Sequence, residues 1–258
     1  MKNIVKAQFF QIIREKIIWY MLVLALLMQV LMFMLPIWLG TEEVTSAGEF
    51  FVTSGSGLIF FPLFFLVVVS GQICGIDFLD KTNNYELMSG HRRYEVYFGR
   101  IIPAILVGGS GTALLTITPV VLYTVMHGWG TEIALSDAVL RLVLLLFPIL
   151  RLVCEFAFLT FLVKNPYVMM GVGYGLFIAT MGLTEQIKTL NVFLGITNMM
   201  LLLDEKKGVT FGTDGNPIVI YEAALSGGVI WQTILASVVF GGAALYLGYV
   251  YFKNNDLN

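Results

Sequence analysis

The sequence predicts an all-α, polytopic membrane protein in which six helices cross the bilayer. The chain has 258 residues, of which 58% are hydrophobic and only 12% are charged, about half the charged fraction of an ordinary soluble domain. The apolar residues come in long blocks, and a helix needs about 20 such residues to cross a ~30 Å hydrocarbon core. These blocks predict one transmembrane domain with spans over residues 17–39, 57–76, 101–126, 138–163, 167–183 and 229–252.

The first apolar block follows a basic segment, as the core of a secretory signal peptide also does. The block at 17–39 is too long for such a core, and no small-residue cleavage site follows it. We therefore interpret this block as a span that the protein retains.

The loops between the blocks differ in positive charge, and this asymmetry sets the orientation of a membrane protein. Ten lysines and arginines fall on one side of the predicted membrane: Lys2, Lys6, Arg14, Lys16, Lys81, Arg92, Arg93, Arg100, Lys164 and Lys253. The opposite side has Lys188, Lys206 and Lys207, and its first two loops contain acidic residues but no lysine or arginine. The asymmetry predicts a cell-membrane protein with both termini in the cytoplasm, which requires an even number of spans.

The fifth predicted span is short and rich in glycine, and another apolar stretch follows it at 187–203. Lys188, Asn191 and Asn198 interrupt that stretch. A seventh crossing there would put the C-terminus outside the cell. We therefore favour an outer-face or re-entrant helix, packed against protein, within a predicted extracellular segment over 184–228.

The residues also bound the chemistry of the chain. Cys74 and Cys154 lie inside apolar blocks, as buried inert thiols do, rather than in a disulfide scaffold. His91 and His127 have no partner at metal-ligand spacing, so we expect no metal site. The net charge of −2 gives no basic surface for nucleic acid, and we identify no catalytic residue.

Residues 1–16 have the pattern of an interfacial helix. Val5, Phe9, Ile12 and Ile13 share one face at helical spacing, and the basic residues of the segment can reach lipid headgroups. One interpretation is an elbow helix lying on the inner leaflet. The other is a positive flank that only orients the first span.

The segment 77–100, between the second and third spans, is the most informative part of the chain. Thr82 or Asn83 can cap a short helix with a side-chain oxygen, and Gly90 can end it in a left-handed conformation. A second helix then begins near His91 and runs into the third span. The side chains that can dock this protruding turn into a partner are Tyr85, Leu87 and Met88. The alternative is a solvated loop whose arginines serve topology.

Within this segment a Thr, a Leu-containing turn, a Ser-Gly break, an Arg and a Gly-Arg pair follow one another. They are Thr82, Leu87, Met88, Ser89, Gly90, Arg92 or Arg93, Gly99 and Arg100. This order resembles that of type-2 ATP-binding-cassette (ABC) exporter permeases, as do the six spans, the elbow and the long outer segment. That family often has an upstream Glu and a Gly-Thr pair, where this chain has Asp77 or Asp80 and Lys81-Thr82.

The resemblance implies a cytoplasmic coupling helix near Thr82–Ser89 that sits in a cleft of a separate ABC ATPase subunit. The coupling residues it implies are Thr82, Tyr85, Leu87, Met88, Ser89, Gly90, Arg92 and Arg93. ATP and Mg would be bound by the partner ATPase, and this chain itself would bind no cofactor. The sequence agrees in having no G-x-x-x-x-G-K-[ST] loop to hold phosphates.

The resemblance also implies a second permease subunit, alike or different, with the transport pathway between the two. The short chain is similar to the permeases of bacitracin-resistance and lantibiotic-immunity exporters. That similarity implies an amphipathic or hydrophobic cargo moved out of the cell, such as an antimicrobial peptide, an antibiotic or a lipid-linked molecule.

Three charged residues, Arg141, Arg151 and Glu155, lie within the predicted fourth span. Each charge near the bilayer centre costs about 2.5–3.5 kcal/mol. Arg151 and Glu155 are one helical turn apart and can pair, whereas Arg141 lies near the outer end and can snorkel to the surface. These residues either line a transport pathway or lock their helix to a neighbour.

Small residues recur at a spacing that permits close helix packing. Gly171 and Gly175 form a G-x-x-x-G pattern in the fifth span, and Gly109 and Ala113 form a similar pattern in the third. We expect helices to approach closely at these positions.

Other functions stay open from the residues alone. A secondary transporter or channel subunit would keep an acidic group at mid-membrane, where Glu155 is the candidate and Arg151 can neutralise it. A membrane sensor or scaffold without an ATPase partner is a further alternative. An intramembrane CAAX-type protease is disfavoured, because Glu42-Glu43 is followed by Ala47 where that motif has an arginine.

Overall fold

A computed structural model of the chain describes residues 1–40, 46–80, 82–131, 133–184, 192–203, 206–211, 217–221 and 225–254. The helices among them are α1 (Lys2–Arg14), α2 (Lys16–Trp38), α3 (Ala47–Ser54), a 3-10 turn (Gly55–Ile59), α4 (Phe60–Leu79), α5 (Thr82–Met88), α6 (Arg93–His127), α7 (Leu135–Leu144), α8 (Leu146–Val163), α9 (Pro166–Thr184), α10 (Gly195–Leu203) and α11 (Gly227–Asn254). Two strands, β1 (Lys206–Phe211) and β2 (Pro217–Tyr221), complete the described elements.

Five described helical segments are long and apolar enough to cross a membrane. They are Lys16–Leu35, Gly57–Leu79, Arg93–His127, Leu135–Val163 and Gly227–Asn254. The chain therefore has the helical, multi-pass character that its composition predicts. The predicted fifth span corresponds to α9, whose apolar part, Pro166–Thr180, is shorter than the other five. A sixth crossing thus stays a prediction.

Helix α4 lies at the centre of the bundle and packs against α2, α6, α8 and α9. Its face toward these neighbours is apolar, with Leu66, Val67 and Val69 fully buried. The peripheral helices instead turn apolar side chains outward, as Leu27 of α2 and Leu235 of α11 do. Large exposed apolar surface of this kind suits contact with lipid or with another membrane protein.

Two breaks divide the chain between α7 and α9. Helix α7 ends at Leu144. In a continuous helix the Leu144 carbonyl would accept a hydrogen bond from the backbone N–H of residue 148, but that residue is Pro148, which has no N–H to donate. Lys164 then ends α8 in the left-handed conformation. The Asn165 side chain caps α9, because its Oδ1 accepts from the backbone N–H of Tyr167 at 2.9 Å.

The segment before α11 contains a short helix and a hairpin. Helix α10 has nine residues, a length of about 13–14 Å that is too short to cross the hydrocarbon core. The antiparallel β1–β2 pair, with Val209 opposite Val219, is an element that the all-α expectation missed. Residues 41–45, Lys81, Glu132, and 185–191 with Lys188 and Asn191, which entered the predictions above, lie outside the described residues.

Helix α1 is present where the elbow was expected, but it buries a different face. Ile4, Gln8 and Ile12 are buried against the bundle, whereas Ile13 is exposed. The face that packs against the bundle is therefore offset by one residue position from the face that the sequence groups, Val5, Phe9, Ile12 and Ile13. Its contact with α6 explains the difference, because a Cβ at Gly99 of α6 would overlap the side chain of Ile4. An interfacial position for α1 stays a prediction.

Candidate functional site

A short helix and a left-handed glycine form a protruding turn between α4 and α6, at the place where the sequence predicts them. We call residues 82–90 the knuckle. It consists of α5 followed by Ser89 and Gly90, which has φ +92°. The Ser89 hydroxyl donates to the carbonyl of Glu86 at 2.7 Å, and α6 begins at Arg93 after the break. The knuckle is therefore held by its own local hydrogen bonds.

The outward face of the knuckle carries two large side chains. Met88 is 83% exposed and Tyr85 is 69% exposed. Leu87, which the sequence placed with them, is instead partly buried against the core of the bundle. The docking group predicted from sequence is thus split: Tyr85 and Met88 face outward, whereas Leu87 anchors the helix from beneath.

A buried ion network lies under the knuckle. The Arg100 Nε lies 2.6 Å from Asp77 Oδ2, and its Nη2 lies 2.7 Å from Glu86 Oε2. The side chains of Arg100 and Asp77 are almost completely buried, and that of Glu86 is 19% exposed. Gln8 of α1 also donates to Asp77 Oδ2 at 3.0 Å. One guanidinium therefore links the end of α4, the knuckle and the start of α6, and α1 joins through the shared carboxylate.

A buried ion pair of this kind fixes the positions of the groups that it joins, but it adds little net stability to the fold. Desolvation offsets much of the attraction, but removing one partner strands a buried charge at a cost of about 3–5 kcal/mol. The knuckle therefore cannot move away from α4 and α6 without exposing or separating charges. Because α5 carries both the exposed Tyr85 and Met88 and the Glu86 carboxylate that pairs with Arg100, a force on the knuckle is transmitted through the network to α4 and α6.

The sequence pointed to only part of this network. Asp77 and Arg100 were identified within the loop pattern, whereas Glu86 and Gln8 were missed. An arginine at a predicted membrane boundary requires carboxylate partners, and this requirement was the available signal for Glu86. Gln8 had no such signal, since its role depends on how α1 docks.

The two adjacent arginines before α6 have different environments. Arg93 Nη1 donates to the carbonyls of Lys253 at 2.7 Å and Phe252 at 3.3 Å. It thereby satisfies free carbonyls at the C-terminal end of α11. Arg92 is exposed beside the knuckle. Of the two, Arg92 has the exposed side chain, while Arg93 joins α6 to α11.

The two arginines of the predicted fourth span, Arg141 and Arg151, are buried inside the protein. Arg151 Nε lies 2.6 Å from Glu155 Oε1, the pair that their spacing predicts, and Arg151 also donates to the carbonyl of Phe193. Arg141 is only 2% exposed and donates to the carbonyl of Leu202 at 3.1 Å. The expectation that Arg141 snorkels to the surface was wrong, because α10 covers it and supplies the acceptor.

Helix α10 is consequently tied to the bundle at both ends and in its middle. Arg141 donates to the carbonyl of Leu202 in the last turn of α10, and Arg151 donates to the carbonyl of Phe193, just before α10 begins. Between them, the fully buried Asn198 accepts from the Thr233 hydroxyl of α11 at 3.0 Å. These contacts assign Arg141 and Arg151 a structural role in the described chain, whereas the Glu155 side chain retains 28% exposure.

An apolar cavity of about 430 Å³ lies between α2, α4 and α9. Its walls include Met28 of α2, Phe60 and Phe64 of α4, and Phe177 and Ile178 of α9. Tyr174 also lines the cavity, and its hydroxyl donates to the carbonyl of Phe64 at 3.2 Å. The cavity can therefore accommodate an apolar group but offers little to a polar one.

The glycines of α9 are arranged differently from the sequence prediction. No described atom lies within 4 Å of a Cβ built on Gly171 or Gly175. The close approach is made by Gly173, where a Cβ would overlap the side chain of Val67 in α4. Gly109 makes an ordinary 3.5 Å contact with Leu150. The predicted G-x-x-x-G face of α9 thus packs against nothing in the described chain.

Two further features bear on the kind of site. Both cysteines are free and buried, and among the described residues no group of three or more His, Cys, Asp or Glu side chains is arranged to hold a metal ion. Comparison with known proteins adds no family assignment: no protein-family model and no curated protein matches this chain.

Proposed function

We propose that this chain is the membrane-spanning permease subunit of a type-2 ABC exporter, and that its knuckle docks into a separate ATPase subunit. One observation carries the proposal. An exposed face of Tyr85 and Met88 stands on a short helix that a buried ion network joins to two membrane-length helices. A partner bound to that face would push directly on α4 and α6.

The proposal requires an external source of energy, because the sequence has no phosphate-binding loop of its own. The ATPase subunit would bind ATP and Mg, and ATP hydrolysis would change how that subunit contacts the knuckle. Arg92, exposed at the edge of the knuckle, would meet acidic groups of that subunit. A second permease subunit, identical or different, would complete the complex in the cell membrane, with both termini of this chain in the cytoplasm.

The proposed cargo is amphipathic or hydrophobic. The cavity between α2, α4 and α9 is lined almost wholly by apolar side chains, which supports a cargo with an acyl, prenyl or apolar peptide portion. Export of an antimicrobial peptide, an antibiotic or a lipid-linked molecule would fit that lining. An ion-coupled carrier has less support, because the Glu155 carboxylate already forms an ion pair with Arg151, whose Nε lies 2.6 Å from Glu155 Oε1.

The direct test is affinity purification of the tagged full chain from its native membrane in mild detergent, followed by identification of every co-purifying subunit. We expect an ABC ATPase at fixed stoichiometry. Met88→Asp places a charge on the docking face and should reduce the retained ATPase by at least tenfold. Tyr94→Asp adds the same charge nearby, on α6 rather than the knuckle, and serves as the matched control.

Membrane insertion and thermal stability should be unchanged in Met88→Asp, because the side chain is 83% exposed. Leu87→Asp should instead lower stability, since Leu87 packs against the core. Full ATPase retention by Met88→Asp, or a purified chain with no ATPase partner, would contradict the proposal.

A further inference from the structure

A second groove, distinct from the knuckle and from the apolar cavity, lies where α1 crosses α6. It has a volume of about 450 Å³ and is lined by Met1, Lys2, Val5, Lys6, Phe9 and Ile102. Neither the docking face nor the proposed cargo cavity uses these residues. The groove combines an apolar floor with a cationic rim.

The floor consists of Val5 and Phe9 from α1 and Ile102 from α6. Each of these side chains is half-buried, so each presents part of its apolar surface to whatever fills the groove. The wall is fixed in place, because Ile4 and Ile12 on the adjoining face of α1 are buried. The floor is therefore a formed surface and not a gap that opens only on binding.

The rim carries Lys2 and Lys6, which are one helical turn apart and exposed. Neither lysine forms an ion pair with a described residue. Glu95, at this end of α6, already accepts from the Met1 amino group at 3.1 Å and from the Arg92 amide at 3.1 Å. Two ammonium groups thus remain available beside an apolar floor.

The position of the groove indicates which kind of molecule contacts it. Ile102 lies at the start of the predicted third span, at 101–126, so the groove is at the predicted membrane boundary. Elsewhere on α1, Phe10 and Ile13 are 58% and 66% exposed, and the Arg14 guanidinium lies 4.1 Å above the Phe10 ring. Apolar side chains and cations interleaved in this way are typical of a helix lying in a lipid interface.

We propose that this groove binds one anionic phospholipid, with its phosphate between Lys2 and Lys6 and an acyl chain along Val5, Phe9 and Ile102. The charge of the rim is complementary to an anionic headgroup, and the half-buried side chains of the floor offer an apolar surface to an acyl chain. The apolar floor would gain nothing from inorganic phosphate, and the two cations would attract a net-anionic headgroup more strongly than a zwitterionic one, whose own cation opposes them. Lipid binding here requires no ATPase.

The test is native mass spectrometry of the purified full chain titrated with phosphatidylglycerol or phosphatidylcholine of identical acyl chains. Wild type should retain one phosphatidylglycerol in preference to phosphatidylcholine. The double variant Lys2→Gln/Lys6→Gln should weaken phosphatidylglycerol binding about 25-fold, from about fivefold for each surface cation. The matched control Arg14→Gln/Lys16→Gln removes two nearby cations that do not line the groove and should bind as wild type does.

A second variant tests the floor independently of charge. Val5→Trp fills the groove and keeps both lysines, so it should also lose the bound lipid. An equal preference of wild type for the two lipids, or an equal loss in the control, would overturn the proposal.

Two further results would overturn it by naming a different occupant. Competition by inorganic phosphate would reveal a simple anion site. Loss of a co-purifying protein in Lys2→Gln/Lys6→Gln, with lipid binding intact, would reveal a protein interface. Either outcome leaves ATPase docking at the knuckle unaffected, so the two proposals fail separately.

Discussion

Replacing Arg100 with methionine removes the cation at the centre of the buried network while keeping a long apolar side chain in its place. Asp77 is 1% exposed, so its carboxylate would be left buried without a countercharge. Breaking a buried pair in this way costs about 3–5 kcal/mol. For a chain of this size, that loss corresponds to a fall in Tm of roughly 6–20 °C.

The second half of a double-mutant cycle separates charge from packing. Asp77→Asn added to Arg100→Met removes the stranded carboxylate, and replacing both members of a buried pair is often nearly neutral. The double variant should therefore recover most of the lost stability. Glu86 also loses its partner, but its 19% exposure allows water to solvate it.

The two native cysteines serve as the probe of unfolding in this experiment. Cys74 and Cys154 are free and buried, so a fluorogenic thiol reagent reports their exposure as the protein unfolds in detergent. A Tm for Arg100→Met within 2 °C of wild type would refute the reasoning. A double variant less stable than Arg100→Met alone would refute it as well.

Three further perturbations test other parts of the structure. Arg151→Met should lower the Tm because Glu155 loses its cation and α10 loses a tether, and adding Glu155→Gln should restore part of the loss; the same thiol assay measures both. Gly173→Ala should destabilise the protein by about 1–3 kcal/mol through overlap with α4, whereas Gly175→Ala, which meets no described atom, should not destabilise it, because alanine is the better helix former. A cysteine in place of Met88 should react with a membrane-impermeant thiol reagent only after the cells are permeabilised, and labelling of intact cells would contradict a cytoplasmic knuckle.

The membrane-like character of the fold was predictable from the sequence because it depends on block length and composition. The same holds for the helix break at Gly90 and the pairing of Arg151 with Glu155, since each is set by a few neighbouring residues. Such features require no knowledge of which helices are neighbours.

The features that the sequence did not predict all depend on tertiary contacts. Arg141 was expected to reach the surface, but its environment is set by α10, some 60 residues away in the chain. Leu87 was grouped with Met88 by polarity, although the two side chains point to different sides of a seven-residue helix. The role of Gly173 rather than Gly171 follows from which face of α9 meets α4, and the near-uniform hydrophobicity of α9 hides that face.

The central claim is that the knuckle is the surface on which an ATPase acts. A photo-cross-linking residue placed at position 88, in the full chain in living cells, tests this most directly, because the Met88 side chain is 83% exposed. The account predicts an adduct to an ABC ATPase, identified by mass spectrometry and absent when the cross-linker is at position 231, near the start of α11. An adduct at position 88 to lipid alone, or to a protein without a nucleotide-binding motif, would contradict it.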